Sequence, residues 1–373
     1  MKIGIRTPNF HEKSPDRRRL EMSSPSRIAV IKLRGLGDTV LWIPALKALK
    51  ATNPEAQIAA FCPERWRDLV SFFPGVDKSI GIRNRSFLGL LGALRAFKPD
   101  AVLSFHATPR TALAAFFSGA KTRIVRNHSG PDYFSTITVT SAKEAKGAYL
   151  RDMDVVEALT SERREKGDWE IGRSRDGGEG SQRRAEALIR EGYLGVPTSV
   201  LERARKIVAG WGNEAPLILC PGASKMTNEW PEDRWVVLVR HLGEKGILPV
   251  IHAGPDEERW IKAFEKAGLS FHRLEAPDLP LLAGIFALSK LCLASDSGPK
   301  HLAAAVGCPT LTIWGSTLFR EWHPYDQERH PVVLAPVPCR PCFRNSCDHL
   351  SCLRGIEVAD VLSRLLPFLK RET

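Results

Sequence analysis

At 373 residues, with 43% apolar and 26% charged side chains, the chain is too long for one ordinary core and too apolar for a disordered polymer. No apolar run reaches the ~18 residues that a membrane helix needs, which excludes a helical membrane protein. A formal net charge of +12 points to an anionic partner, and nucleic acid, an acidic membrane face, a polyphosphate substrate or plain solubility all fit it.

Residues 1–26 carry Lys2, Arg6, Lys13 and Arg17 to Arg19 but lack the apolar stretch of a signal peptide. They are expected to be a disordered basic arm, and the protein is expected in the cytoplasm. From residue 27, short apolar runs rich in branched side chains alternate with amphipathic stretches of helical length. Residues 27–33 (RIAVIKL) read as a buried strand and 39–51 as a helix; 58–62, 101–106, 122–126 and 136–140 read as further strands. Residues 161–186 are more than half charged and read as a solvated loop or helix surface.

Alternation restarts with strand 216–220. It continues with helix 233–244, strand 248–252, helices 256–266 and 279–289, strand 291–295, helix 301–306 and strand 310–314, and ends in an amphipathic helix at 358–370. Nearly continuous apolar strands between helices imply parallel sheets covered on both faces. The pattern therefore predicts an α/β fold of two doubly wound, Rossmann-like units, 27–198 and 199–354, with a terminal helical segment at 355–373. Ligand is expected between them, at the carboxyl ends of the strands.

Three segments carry chemistry. In KLRGLGDTVLWIP (residues 32–44), Gly35 and Gly37 permit a tight turn and a close approach, and Asp38 follows at the sheet edge. Two roles are open to Asp38: the N-cap of a helix starting at Thr39, or a carboxylate facing the cleft. The third glycine of a dinucleotide fingerprint is absent, which argues against a nicotinamide dehydrogenase. In PGASKMTNEWPEDRW (221–235), backbone N–H groups of Gly222, Ala223 and Ser224 could cradle phosphate, with hydroxyls from Ser224 and Thr227 and a charge from Lys225. Trp230 and Trp235 read as core. His252, in HAGPDE (252–257), is at most a weak candidate for ligand contact.

In DSGPKHLAAA (296–305), Asp296, Ser297, Gly298 and a proline have the composition of a helix start, whose free N–H groups suit a diphosphate. Lys300 and His301 could strengthen that site. A well-capped core helix without ligand is the alternative.

Together, residues 32–46, 221–224, 230–235 and 296–305 and the CRPC string (339–342) resemble glycosyltransferase family 9, the family of lipopolysaccharide heptosyltransferases. The likeness runs over roughly residues 27–366. It implies the GT-B fold and an inverting, metal-independent reaction that moves heptose, or a related sugar, from an ADP-activated donor to a lipopolysaccharide core precursor. The same resemblance makes Asp38 the base that deprotonates the acceptor hydroxyl. It makes Asp296, Ser297, Gly298 and His301 the donor diphosphate segment; Gly222, Ser224, Lys225, Thr227 and Lys300, read above from the residues themselves, are expected beside it. Arg34 and Gly37 are expected on the acceptor side, in the first unit, and the second unit is expected to hold the nucleotide sugar. No cofactor is expected. Where family members carry a basic residue two before the Trp-Pro pair, this chain has Asn228, and Lys225 is the expected substitute.

Cys339, Cys342, Cys347 and Cys352 are spaced as a metal site could be, but their four-residue gaps are looser than those of a zinc ribbon, and a metal-free reduced loop fits as well. Cys62, Cys220, Cys292 and Cys308 read as core. Competing functions are a nucleotide-sugar epimerase or hydrolase of the same fold and a nucleic-acid binder, the latter disfavoured because no nucleic-acid module is recognisable. A lipid-linked acceptor and peripheral contact with an anionic membrane are expected partners.

Overall fold

The computed structural model describes residues 25–106, 108–127, 134–140, 147–160, 169–170, 193–255, 257–275 and 277–370. The basic arm and nearly all of 161–186 lie outside the described residues. β1 (Arg27–Ile31), β2 (Gln57–Pro63), β3 (Lys78–Ile82), β4 (Ala101–Ser104), β5 (Thr122–Asn127), β6 (Ile137–Thr140) and β7 (Trp169–Glu170) form one parallel sheet, ordered β3-β2-β1-β4-β5-β6-β7. β8 (Leu217–Cys220), β9 (Val250–His252), β10 (His272–Leu274), β11 (Leu291–Ser295), β12 (Thr310–Ile313) and β13 (Val332–Val333) form a second, ordered β10-β9-β8-β11-β12-β13.

The central strands are the continuous apolar runs. β4, β8 and β11 are buried at every residue, and β1 at all but its first. Helices on both faces remove each strand from water, so alternation is absent. The outer strands β3, β10 and β13 have shorter or more polar sequences, and they were not expected. Part of the charged segment also departs from expectation: Trp169–Glu170 pairs in parallel with β6 as the edge of the first sheet.

In both sheets the strand order reverses, at β1/β4 and at β8/β11. A crevice opens at such a switch point, beyond the carboxyl ends of the strands. The loops that leave β1, β8 and β11 are the three chemical segments, so topology alone brings them to two facing crevices.

The expected helix 39–51 is two helices, Leu36–Val40 and Ile43–Thr52. Pro44 has no N–H to continue the ladder back to Val40, and its ring belongs in the first turn of the second helix. A single cluster of buried side chains runs from Val30, Leu46 and Val156 around the first sheet to Leu282, Ile285 and Leu302 beside the second. A separate cluster fills the far face of the second sheet; there Val358, Val361 and Leu365 of the helix Val358–Lys370 pack beside Trp230 and Trp235. No helix among the described residues is long and apolar enough to cross a membrane.

Candidate active site

The helix after β1 starts at Leu36, with Gly35 as its N-cap; Asp38 is its third residue. Thr39 donates to the Gly35 carbonyl through its amide (3.0 Å) and its hydroxyl (2.9 Å). The capping role once open to Asp38 is therefore not the one it takes. Its carboxylate is half-buried, and no hydrogen bond or ion pair among the described residues engages it.

Beneath it lies a buried set of charges. The Lys32 ammonium pairs with Asp152, from the helix Ala148–Thr160, and Arg126, at the end of β5, brings Nη1 to 3.6 Å from Asp152 Oδ1. Burial pushes the Lys32 ammonium down and the Asp152 carboxyl up, and each holds the other's charge against that pressure. Arg34 is exposed at the rim. Its carbonyl accepts from Trp66 Nε1 (3.0 Å), and the Arg65 guanidinium stacks 4.1 Å over the Trp66 ring.

The second sheet presents the helix Gly298–Ala305 to this turn. A Cβ placed on Gly37 would stand 2.8 Å from His301 Cδ2, and one on Gly298 would stand 2.8 Å from Leu36 Cβ. Gly37 and Gly298 therefore let the two segments touch. Ser297 is the N-cap and Pro299 sits in the first turn, as a helix start requires. His301 is buried and its Nδ1 bonds Tyr325 Oη at 2.7 Å; burial, with Lys300 and His323 nearby, holds its imidazole neutral.

Two residues expected at the donor, Lys300 and Thr227, are placed in the interior of the second unit. Lys300 is fully buried. Its ammonium donates to Asp296 Oδ1 (2.5 Å) and lies 4.2 Å from the centre of the Trp314 ring, so its charge is compensated there and does not face the cleft. Thr227 is also fully buried, and its hydroxyl donates to the Arg344 carbonyl (2.5 Å). Ser224 is exposed and Lys225 half-buried at the mouth of the β8 loop. The Ala223 N–H already donates to Glu229 Oε1 (3.1 Å), and the Glu257 side chain fills the space over Gly222. His252 is buried, and burial lowers its imidazole to about 4.

Asn228 is buried where a basic residue was missed. Its Nδ2 reaches the Asp296 carboxylate at 3.5 Å, and its Oδ1 accepts from Ser316 Oγ at 3.2 Å. Thr317 adds a 2.6 Å bond to Asp296 Oδ2. Ser316, Thr317, Trp314 and Tyr325 carried no sequence signal; they are recognisable only once β12 is seen to end beside β11.

The cysteine-bearing loop supports this network from below: Cys342 N donates to the Ser316 carbonyl at 3.1 Å. Cys339 is exposed, Cys342 and Cys347 half-buried, and Cys352 buried. Among the described residues no group of three or more His, Cys, Asp or Glu is placed to hold a metal ion.

Residues 186–352 match the model of glycosyltransferase family 9 (heptosyltransferase). The chain carries a family 9 glycosyltransferase domain. It is 27% identical over 344 residues to lipopolysaccharide heptosyltransferase 1 of Pseudomonas aeruginosa, covering 87% of this chain and 88% of that one. Among solved structures, the glycosyl transferase family 9 protein of Veillonella parvula superposes with a TM-score of 0.73 at 18% identity, covering 92% of this chain and 97% of that one. The E. coli ADP-heptose lps heptosyltransferase II superposes with 0.70 at 21% identity, covering 92% and 98%. The two facing parallel-sheet units are thus the GT-B fold, and the protein is a glycosyltransferase of a heptosyltransferase-like family.

Proposed function

We propose that this enzyme transfers heptose, or a closely related sugar, from an ADP-activated donor to a lipopolysaccharide core precursor, by inversion and without a metal. The observation that carries the reading is the uncommitted Asp38 carboxylate, one residue from the Gly37–His301 contact where the two units meet. A sugar hydroxyl is a weak nucleophile, so a carboxylate within reach must take its proton as its oxygen bonds the anomeric carbon. The bond from that carbon to the diphosphate breaks on the opposite side, and its electron pair leaves on the phosphate oxygen. N–H groups at Ser297 and Gly298 face that developing charge, and Lys225 is the nearest uncommitted cation of the β8 loop. In this reading Ser224 and His301 border the donor, Asp296 and Lys300 brace its helix, and Arg34 and Gly37 border the acceptor. The first unit, ending near residue 198, receives the acceptor, and the second holds the nucleotide. The E. coli relative named for ADP-heptose supports the choice of donor.

The test is release of ADP from ADP-heptose, with and without a lipid A–Kdo acceptor. Acceptor-dependent release, reduced at least about 100-fold in Asp38→Asn with ADP affinity unchanged, is the expected result. Turnover of nucleotide sugar alone would instead mark an epimerase or hydrolase. Lys225→Ala is expected to weaken ADP binding, and unchanged affinity would remove Lys225 from the donor site. With a lipid-linked acceptor, the enzyme would work peripherally at the cytoplasmic face of an anionic membrane, to which a net charge of +12 is suited. Indifference of sedimentation to liposome charge would count against that contact.

A further inference from the structure

His301, in the helix Gly298–Ala305, and Tyr325, in the segment between β12 and β13, are the two ends of one buried hydrogen bond, Nδ1 to Oη at 2.7 Å. The phenol ring is itself wedged in place: the His323 and His330 rings each stand with their centres 5.2 Å from its own. The opposite edge of the imidazole lies where the two units touch. A Cβ on Gly37 would stand 2.8 Å from Cδ2 and 3.4 Å from Nε2. The ring is thus held on both edges, and among the described residues no hydrogen bond engages Nε2. A neutral imidazole carries one hydrogen, and the partner of one nitrogen decides whether the other bears it. Burial, with Lys300 and His323 nearby, keeps this imidazole from taking a second. An imidazole nitrogen is far more basic than a phenol oxygen, and the phenol is the more acidic donor, so the bond runs from the Tyr325 O–H to Nδ1.

Resting on the reading of residues 296–301 as the donor side, we propose that Tyr325 is a positioning residue for sugar transfer. It donates to His301 Nδ1, which keeps the imidazole hydrogen on Nε2, and that N–H is offered at the junction to a phosphate oxygen of the nucleotide sugar. The opposite tautomer would turn a lone pair towards the same anion and repel it. An N–H fixed in advance and aimed where negative charge develops assists the departing diphosphate with no reorganisation at the moment of reaction. Being uncharged, it also carries no cost of burying an ion while the site is empty of substrate.

The tautomer is read directly from the ring-nitrogen magnetic resonance signals of protein carrying isotope-labelled histidine. His301 is assigned by its loss in His301→Gln or, if that variant does not fold, by elimination through single variants of the other histidines. A hydrogen on Nε2 and an acceptor at Nδ1 are expected; a hydrogen on Nδ1 in the wild type overturns the proposal. Tyr325→Phe keeps the ring and removes the donor, so both tautomers should appear. Its affinity for ADP, by calorimetric titration, is expected to fall about five-fold, the worth of one ordinary hydrogen bond. Affinity for adenosine, which has no phosphate, should be unchanged. An equal loss for ADP and adenosine would mean that Tyr325 only braces the fold, and an unchanged ADP affinity would reject the phosphate contact. The wild-type tautomer is measured without ligand and without any change at Tyr325, so it stands or falls apart from the donor reading. Wild-type protein that does not bind ADP would remove that reading, and the phosphate contact with it.

Discussion

Gly37 lies against the edge of the His301 imidazole, so closely that a Cβ on the glycine would stand 2.8 Å from Cδ2. The contact joins the turn carrying Asp38 to the helix start on the second sheet. His301 cannot withdraw freely, because its other side is held by Tyr325. Gly37→Ala must therefore push the Asp38 turn away from the helix Gly298–Ala305, by a distance comparable to the overlap. A misplacement of ~1 Å is enough to cost about 100-fold in rate. The expected outcome is a fall in turnover of 10- to 100-fold, estimated from that relation, with a melting temperature close to wild type. Steady-state kinetics and thermal melts followed by circular dichroism test it; a large loss of stability with normal turnover in the folded fraction would contradict it.

A second bridge between the units is Arg151 Nη1 to Glu321 Oε1, 2.5 Å, with both side chains about five-sixths buried. Arg151 precedes Asp152 in the charge set under Asp38. Glu321 precedes Trp322, whose carbonyl lies 3.5 Å from the Lys300 ammonium. Consecutive residues on each side thus connect the Lys32–Asp152–Arg126 set to the Lys300–Asp296 pair. Glu321→Gln keeps the shape and removes the charge, so the junction that this pair bridges should be less favoured. Apparent donor affinity is then expected to fall several-fold through the smaller competent population, with a smaller change in the rate at saturation. Calorimetric titration with ADP and KM measured beside kcat distinguish this from a catalytic defect.

Much of this was legible in the sequence. Continuous apolar runs such as LILC at β8 and LCLAS at β11 fix buried parallel strands, and the residues just beyond them then fall at a crevice. Gly37, Asp38, Ser297 and Gly298 were found in that way. What was not legible depends on pairing between distant elements. Lys300 read as a free cation because nothing in the sequence places Trp314 over it or shows that Asp296, four residues back, accepts its charge. Asp152 carried no signal in the sequence, since its partners lie 120 residues away at Lys32 and on another strand at Arg126. Edge strands as short as β13 carry too few residues for a pattern.

The Lys300–Asp296 pair yields a stability prediction. Lys300→Met leaves Asp296 buried without its cation, supported among the described residues by Thr317 and Asn228. Breaking a buried pair from one side costs about 3–5 kcal/mol, and the remaining hydrogen bonds favour the lower end. Lys300→Met with Asp296→Asn leaves no unpaired charge and should be clearly more stable than the single variant. Urea unfolding midpoints of the two variants decide the matter, and a single variant as stable as wild type would show that the pair is not stabilised by its charge.

Acid should weaken the fold through buried histidines. Burial lowers His252 to about 4, and lowers His330 to about 4 against a partial upward pull from Asp326. In the unfolded chain each titrates near 6.5. Between these values the unfolded chain binds a proton that the folded chain refuses, so the number of bound protons is greater in the unfolded state and stability rises with pH. The contribution is complete above about pH 6.5 and is lost as pH falls towards 4, by up to about 3 kcal/mol for each group. His323 and His301, also lowered by burial, act in the same direction. The urea midpoint is therefore expected to fall steeply between about pH 7 and pH 4.5. His252→Gln and His330→Gln, which cannot take the proton, should each flatten that slope while costing some stability at neutral pH. Unchanged slopes in both variants would mean that the acid sensitivity arises elsewhere, most directly from carboxylates such as Asp100, whose hydrogen bonds from Ser26 and Arg27 hold it below the usual carboxylate range against its partial burial.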